Sequence, residues 1–288
     1  MNYRHAFHAG NFADVHKHSV LARILVHLRL KPAAFRVIDT HAGAGRYDLS
    51  APEPSRGGEW RRGIEPVWQA RRHAALDVLL TPYLDAVAAV NPDGMLRVYP
   101  GSALIAKYLL RPQDRLIACE LEPRAAAALA GALRGNACAK ALTIDGWTAL
   151  GAYIPPKERR GLVFIDPPFE DPADFTRLPS ALSAAHRRWP TGIYMLWYPI
   201  KERSAADALA RRVRRLALPN ILRCELFIGP LDAHGSLAGS GIIVVNPPFT
   251  LKSDLQKFMP ALGKILSPEA AGRIDWLARE RSEDVSQW

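Results

Sequence analysis

The chain predicts an α/β fold built on a doubly wound, mostly parallel sheet of seven strands. Three observations carry this. Short apolar runs recur along the chain, and several of them close on an acid or a glycine turn. Helical patterns separate most neighbouring runs, which is the alternation that a doubly wound sheet demands. One run, Leu162-Val163-Phe164-Ile165, is continuously apolar, as a strand buried on both faces requires.

The elements follow in order. A helix is expected from Asp14 to about His27, then a strand at 35–39 that runs into the glycine turn Thr40-His41-Ala42-Gly43-Ala44-Gly45. After Arg46 the alternation stops. Pro52, Pro54, Gly57 and Gly58 mark a loop leading into helical patterns at Pro66 to Leu80 and Tyr83 to Val90, so residues 51–94 read as a small inserted helical subdomain, with 1–50 and 95–288 forming the main domain. Strands at 115–120, 141–145, 162–166 and 193–198 follow. A helix is expected from Phe175 to Arg187 and another from near Ser204. The last two strands, 221–229 and 241–246, are separated only by the loop around Pro230 to Gly239, which predicts an antiparallel hairpin at the sheet edge. A helix from Leu251 to Leu266 closes the series.

The tetrapeptide Asp166-Pro167-Pro168-Phe169 sits at the carboxyl end of a buried strand, the edge where open α/β sheets bind ligands. Its residue types suit the capture of a planar amino group. An exocyclic amine on adenine is a poor nucleophile because its lone pair is delocalised into the ring. Asp166 can accept one amino hydrogen, the carbonyl of Pro167 the other, and consecutive prolines hold that carbonyl in a fixed direction. Phe169 offers a face on which a base can stack, a contact worth about 1–3 kcal/mol. The structural alternative is a proline-rich turn in which Asp166 caps the following helix. A second tetrapeptide, Asn246-Pro247-Pro248-Phe249, follows another apolar run; chain order favours Asp166, because the donor-like residues all lie in the first half.

Those residues stand at successive strand ends. Gly43 and Gly45 let a ligand approach the backbone closely. Glu120 ends the next strand, where a carboxylate can hold both hydroxyls of a ribose, although it lies about 75 residues beyond the glycines against the usual spacing of about 20. Asp145-Gly146 ends a third strand, where an acid beside open backbone could face an adenine edge. Glu120 could alternatively serve only as a helix cap.

On these residues the chain resembles the RlmJ family, which methylates the N6 of one adenine in bacterial 23S ribosomal RNA with S-adenosylmethionine. The resemblance runs through Tyr3-Arg4-His5-Ala6-Phe7-His8-Ala9-Gly10-Asn11, Asp14-Val15-His16-Lys17-His18, Asp39 to Tyr47, Tyr99-Pro100-Gly101-Ser102, Glu120, Asp145-Gly146 and Asp166 to Phe169. It implies a Rossmann-like class I methyltransferase fold. It also implies that His18, His41, Ser102, Glu120, Asp145, Gly146 and Asp166 contact the cofactor, that Asp166 is catalytic and takes the amine proton, and that Tyr3 contacts RNA. Lys17 is expected near the cofactor or substrate. Phe169 stands where tyrosine is commoner in the family. A DNA adenine methyltransferase would use the same tetrapeptide and is the alternative.

Composition fits a polyanion partner: the net charge is +10 and the pI about 9.8. Residues 1–36 hold six Lys or Arg against one acid and residues 201–224 seven against two, and Arg211, Arg212, Arg214 and Arg215 would form a basic ridge on one helix. The three cysteines show no paired spacing, no apolar run approaches the roughly 20 residues of a membrane span, and no targeting signal opens the chain. A cytoplasmic monomer without a metal site is therefore expected; five clustered histidines, at positions 5, 8, 16, 18 and 27, are assigned to RNA contacts or packing.

Overall fold

The computed structural model describes residues 5–71, 78–230 and 237–279. Its first long element is helix α1, Phe12–Arg29, two residues longer at each end than the apolar pattern indicates. Asn11 starts it: its Oδ1 accepts the Asp14 amide at 2.9 Å, while Asp14 Oδ2 accepts the Gly10 amide at 2.8 Å. The cap satisfies the Asp14 amide, a donor that the first turn would otherwise leave open, and Asp14 in return holds the Gly10 amide just ahead of the helix.

The sheet core is β1 (Arg36–Asp39), β4 (Arg115–Glu120), β5 (Ala139–Thr143), β6 (Gly161–Ile165) and β7 (Ile193–Ile200), all parallel, in the spatial order β5-β4-β1-β6-β7. β6 is buried along its whole length. Leu162 and Phe164 face the core that includes α1, whereas Val163 and Ile165 face the core formed with α8 (Asp174–Arg188) and α9 (Arg203–Arg214). The period of two in a central strand thus splits one apolar run between two layers.

Beyond β7 the sheet turns antiparallel. β8 (Ile221–Phe227) and β9 (Gly239–Val245) pair as the sequence predicts, but β9 lies inside, between β7 and β8. The edge is taken instead by β10 (Ala271–Ala278), which gives this sheet eight strands among the described residues rather than seven. β10 is a half-exposed edge strand, so its residues lack the apolar run that marks the inner strands. Part of what fixes it is Arg223 of β8, 3% exposed, whose Nε and Nη2 donate to the two carboxylate oxygens of Asp275 at 2.9 and 2.7 Å.

The chain between β1 and β4 departs from the main sheet. Two three-residue strands, β2 (Arg46–Asp48) and β3 (Val98–Pro100), pair antiparallel, and between them lie α2 (Pro52–Gly57), α3 (Ile64–Ala70) and α4 (Thr81–Ala89). Residues 72–77, within the first of the two helical patterns, lie outside the described residues. The remaining helices are α5 (Ser102–Leu109), α6 (Pro123–Leu133), α7 (Gly146–Ala152) and α10 (Leu251–Leu266), the last with the predicted bounds. Among the described residues no helix is long and apolar enough to cross a membrane.

Candidate active site

At the carboxyl edge of the parallel strands a cavity of about 850 Å³ opens, and its wall brings together His18, His41, Ser102, Glu120, Asp145, Gly146 and Asp166. Seven residues spread over 149 positions of sequence thus face one space. Tyr3 lies outside the described residues.

The β1 end supplies the floor. Thr40 Oγ1 donates to the Phe164 carbonyl at 2.9 Å, tying the turn to β6. Gly43 and Gly45 adopt left-handed backbone conformations, with φ of 60° and 74°, that glycine alone enters without cost. This turn aims the Gly43 amide at Glu120 Oε2, 2.9 Å away, while Glu120 Oε1 accepts the Glu122 amide at 2.8 Å. Glu120 does not cap α6; Glu122 does, accepting the Ala125 amide. Asp145 does cap α7, with Oδ2 accepting from Thr148 N at 2.8 Å and from Thr148 Oγ1 at 2.9 Å. Gly146 follows against β1, where a Cβ would collide with the Thr40 carbonyl and the His41 ring. Burial pushes the His41 imidazolium down to about 4, so the ring is neutral at physiological pH.

The α1 side is unusual in being polar and buried. Lys17 Nζ lies 2.6 Å from Asp166 Oδ2 and 2.9 Å from Asp14 Oδ1, and 4.9 Å above the Trp197 ring. Burial opposes the charge on Lys17, but the two carboxylates outweigh it and hold its ammonium above the ordinary range. Burial likewise opposes ionisation of Asp14, yet Lys17 and His5 hold that carboxyl well below its usual range. For Asp166 burial prevails over the pull of Lys17, leaving the carboxyl raised. Lys17, which the sequence places only loosely, is therefore the direct partner of the motif acid. A lysine on a helix ordinarily reads as solvated; only the docking of α1 beside β6 reveals otherwise.

Asp166 is not a helix cap. The residue preceding α8 is Ala173, with no side-chain capping bond, and Asp166 turns to the cavity with Pro167 and Pro168. Phe169 departs from the expected geometry. With φ of 52° its ring packs on Phe175 at 4.7 Å and edge-on to Trp197 at 5.8 Å, and it is not among the residues that line the cavity. Asn246 is excluded by topology. β9 runs antiparallel, Val245 pairs with Tyr194 at the start of β7, and Asn246 Nδ2 donates to the Pro190 and Gly192 carbonyls, so it lies at the opposite sheet edge.

Ser102 and His18 complete the wall through buried partners. Ser102 Oγ donates to Asp39 Oδ2 at 2.6 Å. Burial raises the Asp39 carboxyl to about 7, against the opposing Ser102 hydrogen bond. His18 Nδ1 is 2.8 Å from the Tyr99 hydroxyl. Among the wall residues that sequence reasoning missed are Trp147, whose ring meets His41 edge-on, Arg177, stacked over Trp147 at 4.8 Å, and Glu53 from α2. The position of Trp147 directly after Asp145-Gly146 was the available signal.

The two basic segments resolve differently from their charge sums. In residues 1–36, Lys17, Arg23 and Arg36 are each paired with an acid, Asp166, Asp254 and Glu158 respectively. Arg223 is buried against Asp275. Arg211, Arg212, Arg214 and Arg215 are exposed, but α9 runs from the cavity edge after Ile200 to the opposite edge before Ile221, which carries this ridge away from the cavity. Of the clustered histidines, His16 lies 2.9 Å from Ser240 Oγ, His5 3.2 Å from Asp14 and His8 2.9 Å from Glu59, while His27 packs its ring edge-on to Phe249. Among the described residues no three His, Cys, Asp or Glu side chains form a group able to hold a metal ion.

A family model described as Ribosomal RNA large subunit methyltransferase D, RlmJ, matches residues 32–278. Two relatives, each named Ribosomal RNA large subunit methyltransferase J, align over 97% of this chain and 100% of their own length: the Escherichia coli K12 protein at 38% identity and the Haemophilus influenzae Rd protein at 37%. Among solved structures, protein LPL1258 of Legionella pneumophila superposes with a TM-score of 0.87 at 34% identity, covering 93% of this chain and 98% of that one.

Proposed function

The chain belongs to the RlmJ family of ribosomal RNA large subunit methyltransferases, and from that premise we propose that the cavity methylates the N6 amine of a specific adenine in 23S ribosomal RNA, using S-adenosylmethionine. The observation that carries the reading is the convergence of Glu120, Asp145 and Asp166, the ends of three parallel strands, on one cavity. The DNA alternative is not favoured, because the relatives that match over their whole length carry ribosomal RNA methyltransferase names.

The cavity suits a nucleoside sulfonium. Gly146, having no Cβ, lets the start of α7 pack directly on the Thr40 carbonyl and the His41 ring, and Glu120, oriented by two backbone amides, presents a carboxylate to the sugar-binding side. We assign the holding of the donor to His18, His41, Ser102, Glu120, Asp145, Gly146 and Asp166. When bound, the donor supplies an electrophilic methyl group on a positively charged sulfur.

Asp166 does the rest of the chemistry with its neighbours. Lys17 occupies Oδ2 and fixes the carboxylate's direction, so Oδ1 is the oxygen offered to the amine. Accepting one amino hydrogen there, with the Pro167 carbonyl accepting the other, localises the nitrogen lone pair. Asp166 then takes the proton released as the amine becomes secondary, a role that its raised carboxyl suits. The target adenine must leave its stack to reach this point. Tyr3 and Phe169 are assigned to the RNA, with Phe169 braced from behind by Phe175 and Trp197 so that its free surface can meet the base.

Residues 51–94 act in this reading as a helical subdomain that walls the cleft through Glu53 and receives part of the RNA. The enzyme works as a cytoplasmic monomer, which light scattering of the purified protein checks. The test of the function is incubation of 23S rRNA from a strain lacking the enzyme with labelled donor, followed by nucleoside mapping. N6-methyladenosine at one position is expected; label on duplex DNA but not on rRNA would reject the reading.

A further inference from the structure

His18 faces the cavity at one end of a buried hydroxyl chain. Its Nδ1 lies 2.8 Å from the Tyr99 hydroxyl, which lies 3.0 Å from the Tyr83 hydroxyl, and the His18 and Tyr99 rings are nearly parallel. Tyr83 and Tyr99 are 0% exposed and His18 2%. Tyr83 stands on α4 and Tyr99 on β3, so the chain reaches from the segment between β2 and β3 to the cavity wall.

Proton accounting gives this chain a direction. If His18 Nδ1–H donated to Tyr99 and Tyr99 to Tyr83, the Tyr83 proton would have no acceptor among the described residues. If both neighbours donated to Tyr99, its own proton would be stranded. Only Tyr83 donating to Tyr99, and Tyr99 donating to His18 Nδ1, places every proton. An orphaned buried donor costs about 1–3 kcal/mol, enough to decide among the three arrangements. With Nδ1 accepting, the remaining hydrogen of a neutral imidazole is on Nε2, the nitrogen left to the cavity.

We propose that Tyr99 is a positioning residue that fixes His18 as the Nε2–H tautomer, making it a hydrogen-bond donor to the carboxylate of the methyl donor's amino-acid end rather than a partner of its ammonium group. The proposal rests on the methyltransferase reading for the identity of the ligand, but the tautomer is a property of the protein alone. Burial, which holds the His18 imidazolium down at about 3, keeps the ring neutral and so preserves the tautomer across the working pH range.

The test combines a spectroscopic and a binding measurement. In protein labelled with ¹⁵N-histidine, long-range proton–nitrogen spectra assigned with a His18→Gln variant should show the Nε2–H form from pH 5 to pH 9. Tyr83→Phe removes a hydroxyl from the same buried cluster yet leaves Tyr99 free to donate, so it should keep that form. Tyr99→Phe should lose it, giving a mixture of tautomers, and should weaken S-adenosylhomocysteine binding by about tenfold, the order of one hydrogen bond to a charged group. The decarboxylated analogue should bind wild type and Tyr99→Phe alike. An Nδ1–H signal in wild type, or equal losses for both ligands, would overturn the proposal. Failure of wild type to bind S-adenosylhomocysteine at all would overturn its ligand assignment together with the methyltransferase reading, while the spectra would still decide the tautomer.

Discussion

Lys17 and Asp166, 149 residues apart in the chain, meet at 2.6 Å in an interior where each is nearly sealed from solvent, with side-chain exposures of 4% and 10%. Lys17 also holds Asp14, so a single ammonium serves two buried carboxylates. Such a cluster is costly to desolvate and costlier still to break, because removing the cation strands both anions.

Lys17→Met is therefore expected to destabilise the fold by about 3–5 kcal/mol and to abolish methylation, since Asp166 loses the group that orients it. Chemical denaturation gives the first quantity. Combining it with Asp166→Asn should recover part of the loss, because the stranded charge is then gone. Strict additivity of the two changes would show that the pair is not energetically coupled.

Asp39 makes a pH prediction. Burial raises its carboxyl from an ordinary value near 3.8 to about 7. A carboxyl raised on folding favours the protonated native state, so its stabilising contribution is whole below about pH 4 and disappears as pH climbs through 7. The neutral isostere Asp39→Asn can still accept from Ser102 and has no such dependence. The melting temperature of the variant should rise relative to wild type between pH 4 and 7 and level off above that. A difference independent of pH would refute the assignment.

Two glycines predict opposite outcomes. Gly146→Ala forces a methyl group against the Thr40 carbonyl and the His41 ring, so it should weaken S-adenosylhomocysteine binding by tenfold or more, on the scale of about 1–3 kcal/mol for overpacking. Gly131 in α6 has nothing within 4 Å of where a Cβ would stand. Gly131→Ala should stabilise the protein by about 0.5–1 kcal/mol and leave binding unchanged. Calorimetry of both variants checks the pair.

Much of this was legible in the sequence, for identifiable reasons. Buried parallel strands are continuous apolar runs, so the ends near Asp39, Glu120, Asp145 and Asp166 could be placed within two residues, and Glu120, Asp145 and Asp166 could be expected to converge. The three-residue strands β2 and β3 are too short to show a period, and β10 is an exposed edge strand, so none of them was visible. Charge sums misled because they ignore pairing: Arg23, Arg36 and Arg223 add to the positive total but are matched by Asp254, Glu158 and Asp275. The direction of the Phe169 ring was not legible, because a positive φ after two prolines turns it from where a regular strand exit would send it.

The most direct measurement is the single-turnover methylation rate of Asp166→Ala on unmethylated 23S rRNA, with folding verified by circular dichroism. Loss of a positioned proton acceptor predicts a fall of about 10²–10⁴-fold or more, with the folded structure retained. A correctly folded Asp166→Ala enzyme that methylates adenine at close to the wild-type rate would contradict the account.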